Sequence, residues 1–311
     1  MVNFQKNVFL KDYSNYKIGG PAKLFVEVET TDELKEILRR AQDDNEKIFI
    51  LGGGTNVLIG DGTFDGLVIH NKIEGINIVA DGLEMGSGVL VKDLLDYCIE
   101  NSLSGLEWAG GLPGTIAGAV RGNAGAFKGE IKDNVVEVRS IDIKSLEEKI
   151  RLSGECSFGY RNSIFKSGIG ENEFITHAVL GLIEGDKEEI KQKIQEKIDY
   201  RINRHPMNYP NIGSTFKNIP LSSLSEILQK EFAPYVKPDP FPIVPTTKLL
   251  ALSGLKGKRI GDAMISDKHP NFIVNLDNAT EKDVKTLIEI ARAAIKEKYN
   301  IFLEEEIIYL S

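Results

Sequence analysis

The stretch GGLPGTIAGAVRGNAGA, residues 110–126, constrains this chain more than any other feature. It contains six glycines, four alanines and one proline, so it has little to contribute to a core. Glycine carries an entropic cost, and a segment this rich in it is typical of backbone that turns sharply or closely approaches a ligand. We expect five of its N–H groups to be open to a phosphate or diphosphate. They belong to Gly114, Thr115, Ile116, Gly118 and Ala119.

A second glycine segment, LGGGTNVLIG at 51–60, follows the apolar run at 48–51, which is predicted to be a strand. Two such segments in one chain indicate a large dinucleotide ligand. Neither has the spacing of a P-loop or of a Rossmann fingerprint followed by a helix. The sequence therefore predicts a flavin or nucleotide site of another type.

Composition narrows the class of protein. The chain has 311 residues, of which 41% are hydrophobic and 27% charged, as in ordinary globular enzymes. Its net charge of −8 argues against general nucleic-acid binding. Two cysteines argue against a disulfide framework or structural zinc, and the four histidines lack metal-ligand spacing. With no signal peptide or membrane span in the pattern, we expect a reduced, cytoplasmic protein without a metal.

Hydrophobic periodicity predicts an α/β architecture, with an N-terminal two-lobed cofactor region and a smaller C-terminal α/β domain. Four amphipathic segments are predicted to be helices, at 31–44 (capped by Thr31 or Asp32), 91–101, 186–205 and 280–299. Six runs are predicted to be strands, at 47–51, 67–70, 76–80, 135–143, 174–183 and 301–310.

Three short motifs outside the glycine segments carry candidate chemistry. In FGYRNSIF (158–165), Arg161 can pair a carboxylate bidentately, although an ordinary surface arginine is the alternative. In NIGSTFKN (211–218), Ser214 can donate a proton, although serine after glycine is more often a turn residue.

The third motif is LEEEI at 303–307, in the predicted final strand. Strand alternation puts Glu304 and Glu306 on one face and Glu305 on the other. Three consecutive glutamates usually form a solvated edge, but one that turns inward can act as an acid or a substrate ligand.

These motifs, taken in order, resemble the UDP-N-acetylenolpyruvoylglucosamine reductases, flavoproteins of bacterial cell-wall synthesis, in their shorter second subgroup. The resemblance also includes YKIGGPA (16–22) and GLKGKRIGDAMISDKHPNFIVN (254–275), and it covers nearly the whole chain. It implies a two-lobed FAD-binding domain of the vanillyl-alcohol-oxidase type, followed by a family-specific substrate domain. We expect these at 1–198, with lobes of about 1–74 and 75–198, and at 199–311.

The resemblance also implies the reaction. NADPH reduces FAD, and hydride passes from flavin N5 to the enolpyruvyl methylene carbon of UDP-N-acetylglucosamine enolpyruvate, giving UDP-N-acetylmuramate. It implies that Ser214 is the proton donor and that Arg161 and Glu306 stabilise the intermediate. Implied substrate contacts are Tyr160, Lys217 and Asn218. Implied FAD contacts are Gly52, Gly53, Gly54, Thr55, Asn56, Pro113, Gly114, Thr115, Gly118, Asn123, Ala124 and Gly125.

The glycine loops contain no histidine or cysteine, so we expect noncovalent FAD in a monomer, with no membrane or nucleic-acid partner. Two alternatives remain open at this point. One is another FAD oxidoreductase on the same fold with a different small substrate. The other is a non-catalytic flavin- or UDP-sugar-binding protein.

Overall fold

The computed structural model describes residues 3–311, which divide into two compact units that alternate along the sequence. The first unit contains residues 3–8, Ala22–Gly53 and Phe64–Tyr200. The second contains Phe9–Pro21, Gly54–Thr63 and Arg201–Ser311. The contiguous domains expected from the sequence stay a prediction. The compact units follow a different path, because two N-terminal segments belong to the second unit.

The described part of the chain forms seven α-helices: α1 (Thr31–Asp43), α2 (Val91–Glu100), α3 (Ile116–Gly122), α4 (Lys187–Arg204), α5 (Glu226–Phe232), α6 (Thr246–Leu252) and α7 (Glu281–Tyr299). The predicted N-cap of α1 is wrong. Thr30, rather than Thr31 or Asp32, caps the helix, because its side chain accepts from the Glu33 amide while Glu33 accepts from the Thr30 amide.

The strands in chain order are β1 (Gln5–Phe9), β2 (Pro21–Val28), β3 (Ile48–Leu51), β4 (Val57–Ile59), β5 (Phe64–Asn71), β6 (Ile76–Val79), β7 (Gly82–Gly86), β8 (Leu103–Ser104), β9 (Gly125–Ala126), β10 (Gly129–Glu130), β11 (Val135–Asp142), β12 (Glu148–Leu152), β13 (Glu173–Leu180), β14 (Ile183–Glu184), β15 (Ile219–Pro220), β16 (Ile243–Val244), β17 (Arg259–Ile260), β18 (Ala263–Ile265), β19 (Ile273–Asn275) and β20 (Ile308–Leu310). The predicted strand at 301–310 is thus confined to its last three residues. Within residues 301–307 of the predicted strand, the strand pairing consists of one isolated bridge, which Glu305 forms with Phe216.

Besides the two-stranded sheets β8-β14 and β9-β10, two larger sheets build the first unit. One has the strand order β1-β2-β5-β3, in which β2 and β3 pair parallel to β5. The other is antiparallel with the order β12-β11-β13-β7-β6. Leu34, Ile37 and Leu38 of α1 share one buried cluster with the parallel strands and with Ile141 and Phe174 of the antiparallel sheet. Burial of this apolar face therefore joins the two sheets within the unit.

The second unit is organised around α7, which packs on the antiparallel sheet β17-β18-β19. A capping box between Thr280 and Asp283 begins the helix, and its apolar stripe is fully buried. In the same unit β20 pairs parallel to β4. The buried Tyr16 hydroxyl donates to the Ile273 carbonyl at 2.8 Å. The N-terminal segment Phe9–Pro21, which contains Tyr16, thereby contributes to the core of the second unit.

No helix within residues 3–311 combines the length and apolar character needed to cross a bilayer. Cys98 and Cys156 are free and buried. Burial raises the pKa of Cys98 to about 12 and that of Cys156 to about 11, so both thiols stay protonated at neutral pH.

Candidate functional site

The two glycine segments adjoin each other inside the first unit, at Gly52 and Thr115. A Cβ added to Gly52 would lie 2.8 Å from Thr115 Oγ1, so the close approach depends on glycine. Thr115 is also the N-cap of α3, since its hydroxyl accepts from the Gly118 amide at 3.4 Å. Segments more than fifty positions apart in the sequence therefore meet at one place.

The expectation that five amides of the long segment are open is wrong for three of them. The Ile116 amide donates to the Val89 carbonyl at 3.0 Å, and the Ala119 amide donates to the Thr115 carbonyl at 3.0 Å. The Gly118 amide is taken by the Thr115 hydroxyl. The reason is that α3 and a backbone bridge to the start of α2 begin here and use these donors.

The remaining donors are those that fit a diphosphate. Among residues 3–311, the amides of Gly114 and Thr115 have no acceptor, and the same holds for Gly52 and Gly53. Four unused backbone N–H groups on glycine-lined backbone match an anion that accepts several hydrogen bonds and needs close approach. This part of the first unit therefore fits the diphosphate of a dinucleotide.

The rest of the first loop belongs to the second unit, where it includes Gly54, Thr55 and Asn56. Gly54 has φ +61°, and a Cβ there would lie 2.0 Å from the Tyr13 carbonyl oxygen, so only glycine fits. Asn56 Nδ2 donates to the Glu306 carbonyl at 3.0 Å. Asn56, predicted to bind cofactor, therefore also holds the segment of a predicted catalytic glutamate.

The rest of the second loop supports the Arg161 turn in the first unit. Asn123 ends α3 in the left-handed region, and its Nδ2 donates to the Gly159 carbonyl at 2.9 Å. The Gly125 carbonyl accepts from Arg161 Nη2 at 2.7 Å. The other two predicted residues of this loop are Pro113 and Ala124. Pro113 is exposed, and the Ala124 amide donates to the Ala119 carbonyl.

Arg161 lies on a tight turn closed by two hydrogen bonds between Gly159 and Asn162, at 2.9 and 3.1 Å. Its backbone has φ +55°, which is uncommon for arginine. The Lys166 ammonium donates to its carbonyl at 3.0 Å, and its guanidinium carbon lies 5.2 Å from the ring centre of Tyr160. A non-glycine residue held in this conformation is typical of functional sites.

Ser214 and Glu306 come together in the second unit through pairing of their neighbours. The Glu306 amide donates to the Thr215 carbonyl at 2.8 Å, and the Lys217 amide donates to the Glu304 carbonyl at 2.9 Å. Residues 216 and 305 form the antiparallel bridge between these two bonds. The pairing brings the backbone beside Ser214 next to that of Glu306, although the two lie far apart in the sequence.

The three glutamates have different surroundings. Glu304 is exposed and pairs with the Lys217 ammonium at 2.9 Å. Glu305 is mostly buried and contacts Arg292 and the hydroxyl of Tyr309. Burial and the hydrogen bond to Glu305 raise the pKa of that hydroxyl. Glu306 is half-buried next to Thr215. A solvated edge therefore describes Glu304 but not the other two.

Lys217 and Asn218, predicted to contact substrate, also contact protein groups. The Asn218 side-chain oxygen accepts from the Thr246 amide at 3.1 Å, and the Lys217 carbonyl accepts from the Thr246 hydroxyl. These bonds satisfy polar groups at the start of α6 and connect that helix to residues 214–217, called here the Ser214 segment.

Sequence reasoning missed two asparagines beside Ser214. Asn211 Oδ1 accepts from the Gly213 amide at 3.1 Å, which forms an Asx turn. An asparagine two positions before a glycine is the local pattern that predicts such a turn. Asn271 bonds the backbone of residues 215 and 216. No local pattern reveals Asn271, because its partner Phe216 is 55 positions away.

A cavity of about 310 Å³ in the first unit contains none of the predicted site residues. It is lined by the start of α1 and by Arg139, Lys149 and His177. Arg139 is paired with Glu84 and Glu137, and Lys149 is paired with acidic neighbours. The positive charges of Arg139 and Lys149 are thus neutralised within the protein.

Two family models match the chain in sequence order. One describes an FAD binding domain and matches residues 22–145; the other describes the C-terminal domain of UDP-N-acetylenolpyruvoylglucosamine reductase and matches residues 205–310. The UDP-N-acetylenolpyruvoylglucosamine reductase of Clostridium tetani is 34% identical over 310 residues, which cover 99% of this chain and 92% of the relative. The chain belongs to the UDP-N-acetylenolpyruvoylglucosamine reductase family.

Other members of the reductase family agree. The reductase of Caldicellulosiruptor bescii is 36% identical over 312 residues, covering 99% of this chain and 91% of that protein. The crystal structure of the Thermus caldophilus reductase superimposes over 100% of both chains with a TM-score of 0.78 at 31% identity. The predicted family and fold class, an FAD-binding domain followed by the reductase C-terminal domain, are confirmed. The chain is an FAD-dependent oxidoreductase of this family.

Proposed function

We propose that this chain reduces UDP-N-acetylglucosamine enolpyruvate to UDP-N-acetylmuramate, a step in peptidoglycan precursor synthesis, with NADPH as the reductant. Relatives named for this reductase activity match nearly the full length of the chain. The structural observation that carries the proposal is the backbone pairing of residues 215–217 with residues 304–306 in the second unit, which places Glu306 next to the chain that follows Ser214.

The amides of Gly52, Gly53, Gly114 and Thr115 would hold the FAD diphosphate, because they bond no acceptor within residues 3–311 and lie on glycine-lined backbone. The remaining proposed contacts are Gly54, Thr55, Asn56, Pro113, Gly118, Asn123, Ala124 and Gly125. Cysteine and histidine do not occur in either loop, which supports noncovalent binding. The chemistry that bound FAD supplies is hydride transfer from NADPH to the enolpyruvyl group.

Arg161 would stabilise the negative charge that hydride addition leaves on the substrate carbon and its carboxylate. A guanidinium stays protonated at any working pH and pairs a carboxylate with two parallel hydrogen bonds. Its bond to the Gly125 carbonyl orients it in advance, and fixed donors aimed at developing charge are a large catalytic term. We assign Glu306 to the same intermediate, and Tyr160, Lys217 and Asn218 to substrate binding.

Ser214 would donate the proton to the carbon next to the substrate carboxylate. A hydroxyl is a weak acid, so it acts only when it is held within hydrogen-bond reach of the atom it protonates. The backbone bonds of residues 215–217 supply that restraint. We also expect the protein to be a cytoplasmic monomer, which sedimentation and cell fractionation test.

The first experiment measures NADPH consumption by FAD-loaded protein with and without UDP-N-acetylglucosamine enolpyruvate. We expect rapid oxidation only when the sugar nucleotide is present. Lack of stimulation with flavin bound would show that the fold serves a different substrate, or a binding role without turnover.

The Ser214→Ala variant tests the proton donor. We expect kcat to fall by roughly 10²- to 10⁴-fold, the usual contribution of general acid catalysis, with FAD content unchanged. Ser223→Ala is the control, because Ser223 is an exposed serine of the same unit whose hydroxyl donates to the Pro220 carbonyl. Unchanged turnover in Ser214→Ala would overturn the assignment.

A further inference from the structure

We propose that Asn271 is a positioning residue that holds the Ser214 hydroxyl in its working position through Thr215 and Phe216. The inference rests on the proposed role of Ser214 as the proton donor. Asn271 is 3% exposed and makes its bonds to the chain directly after Ser214.

Three hydrogen bonds connect Asn271 to this segment. Its carbonyl oxygen accepts from the Thr215 amide at 2.7 Å. Its Oδ1 accepts from the Phe216 amide at 3.0 Å, and its Nδ2 donates to the Phe216 carbonyl at 2.8 Å. The side-chain amide therefore replaces the N–H and C=O of a neighbouring strand.

The opposite edge of the Ser214 segment is paired with residues 304–306, through the Thr215 carbonyl and the Lys217 amide. Phe216, 2% exposed, is anchored in the core of the second unit. Each backbone donor and acceptor of residues 215–217 then has a partner, counting the Thr246 hydroxyl on the Lys217 carbonyl. Truncating Asn271 leaves both polar groups of Phe216 unpaired on one edge only.

Loss of the two side-chain hydrogen bonds of Asn271 should change the position of Ser214 more than it changes the rest of the fold. Misplacement of a reacting group by about 1 Å lowers a rate by about 10²-fold. The affected step is proton donation from Ser214, because NADPH oxidation needs no proton from that residue. The effect should therefore separate the two half-reactions.

The experiment compares Asn271→Ala with Asn275→Ala in FAD-loaded protein by rapid mixing. Asn275 is an equally buried amide of the same unit, but its side chain bonds Tyr16, Asp277 and Ala279 instead of the Ser214 segment. We expect Asn271→Ala to slow flavin reoxidation by the sugar nucleotide roughly 10- to 100-fold, with a larger solvent deuterium isotope effect. Flavin reduction by NADPH should stay near the wild-type rate in Asn271→Ala. The Asn275→Ala variant should change neither the ratio of the two half-reaction rates nor the isotope effect.

Two further readouts complete the test. In protein without FAD, amide hydrogen exchange at Phe216 should accelerate in Asn271→Ala and not in Asn275→Ala. Asn271→Asp keeps both acceptors and, when protonated, regains the donor, so its reoxidation rate should recover as the pH falls. It also carries the test if Asn271→Ala does not fold.

Wild-type protein that fails to reoxidise with the sugar nucleotide would overturn the proposed function, and this inference with it. Wild-type protein that reoxidises normally, together with Asn271 variants that slow both half-reactions equally or leave the isotope effect unchanged, would overturn this inference alone.

Discussion

The glycine segment 110–126 of the first unit and the Ser214 segment of the second unit are built in opposite ways. The first depends on the absence of side chains, since Gly52 of the other glycine segment approaches its Thr115 where a Cβ would collide. The second depends on side chains that complete a backbone pairing, above all the amide of Asn271. Added atoms should therefore destabilise the glycine segment, and removed atoms should disrupt the Ser214 segment.

The largest expected effect adds one carbon to the glycine segment. A Cβ at Gly110 would lie 2.4 Å from the Ile194 carbonyl oxygen of α4, and backbone cannot yield there without moving the helix. Gly110→Ala should lower the free energy of unfolding by about 3 kcal/mol, the upper range for overpacking. Urea denaturation measures the change.

Gly122→Ala is the control within the same segment. Nothing lies within 4 Å of a Cβ at Gly122, which is the last residue of α3. Alanine should be neutral there or stabilise the helix by up to about 1 kcal/mol. Equal unfolding midpoints for the two variants would show that the segment tolerates added atoms, contrary to the comparison.

The next effect comes from removing single charges in the glutamate triplet. Glu306→Gln should lower kcat roughly 10²-fold at nearly unchanged stability, as expected for loss of transition-state stabilisation. Glu305→Gln should instead lower the free energy of unfolding by about 1 to 2 kcal/mol, since it weakens contacts with Arg292 and Tyr309.

Glu304→Gln provides the reference, because its pair with Lys217 is exposed and such pairs contribute less than about 1 kcal/mol. Steady-state kinetics and denaturation of all three variants separate the roles. A pattern in which the three behave alike would mean that the bridge at residue 305 does not distinguish them.

The smallest effect concerns pH and the half-buried histidines of the second unit. Burial lowers the pKa of His269 to about 3 and that of His205 to about 4, and their rings lie 5.1 Å apart. An unfolded chain takes up protons near the ordinary histidine pKa of 6.5, whereas the folded protein does not. Stability from these groups is therefore complete above pH 6.5 and decreases as the pH falls toward 3.

His269→Gln should flatten this dependence by about 1 to 2 kcal/mol between pH 7 and pH 5, measured as urea midpoints at each pH. His177→Gln in the first unit is the comparison, since burial lowers the pKa of His177 as well. An unaltered pH slope in His269→Gln would show that its proton uptake is not linked to folding.

Elements with local signals were predictable. The apolar spacing of Leu34, Ile37 and Leu38 predicts α1, and the capping pair Thr280 and Asp283 predicts the start of α7. The glycine loops were also recognisable, because backbone that must turn sharply restricts residue type at each position. The end of the chain was misjudged, since LEEEI alternates like a strand but pairs only at residue 305 before β20.

Other features depend on partners distant in the sequence. The amides of Ile116 and Ala119 appear open in a glycine-rich string, yet α3 and a bridge to Val89 use them. Membership of Phe9–Pro21 and Gly54–Thr63 in the second unit rests on contacts such as the Tyr16 hydroxyl with the Ile273 carbonyl. Such pairings follow from the packing of the whole chain.

By itself, the sequence predicted the helices and the glycine loops, because helix periodicity and glycine geometry are local properties. The resemblance of its ordered motifs to a known family supplied the family, the fold class, the cofactor and the candidate residues. Only the tertiary structure decided which amides remain available and how the surroundings of the three glutamates differ. It also decided that Asn271 completes the Ser214 segment. The physical reason is that backbone hydrogen bonds must all be satisfied in a buried segment, and their partners are chosen by the fold.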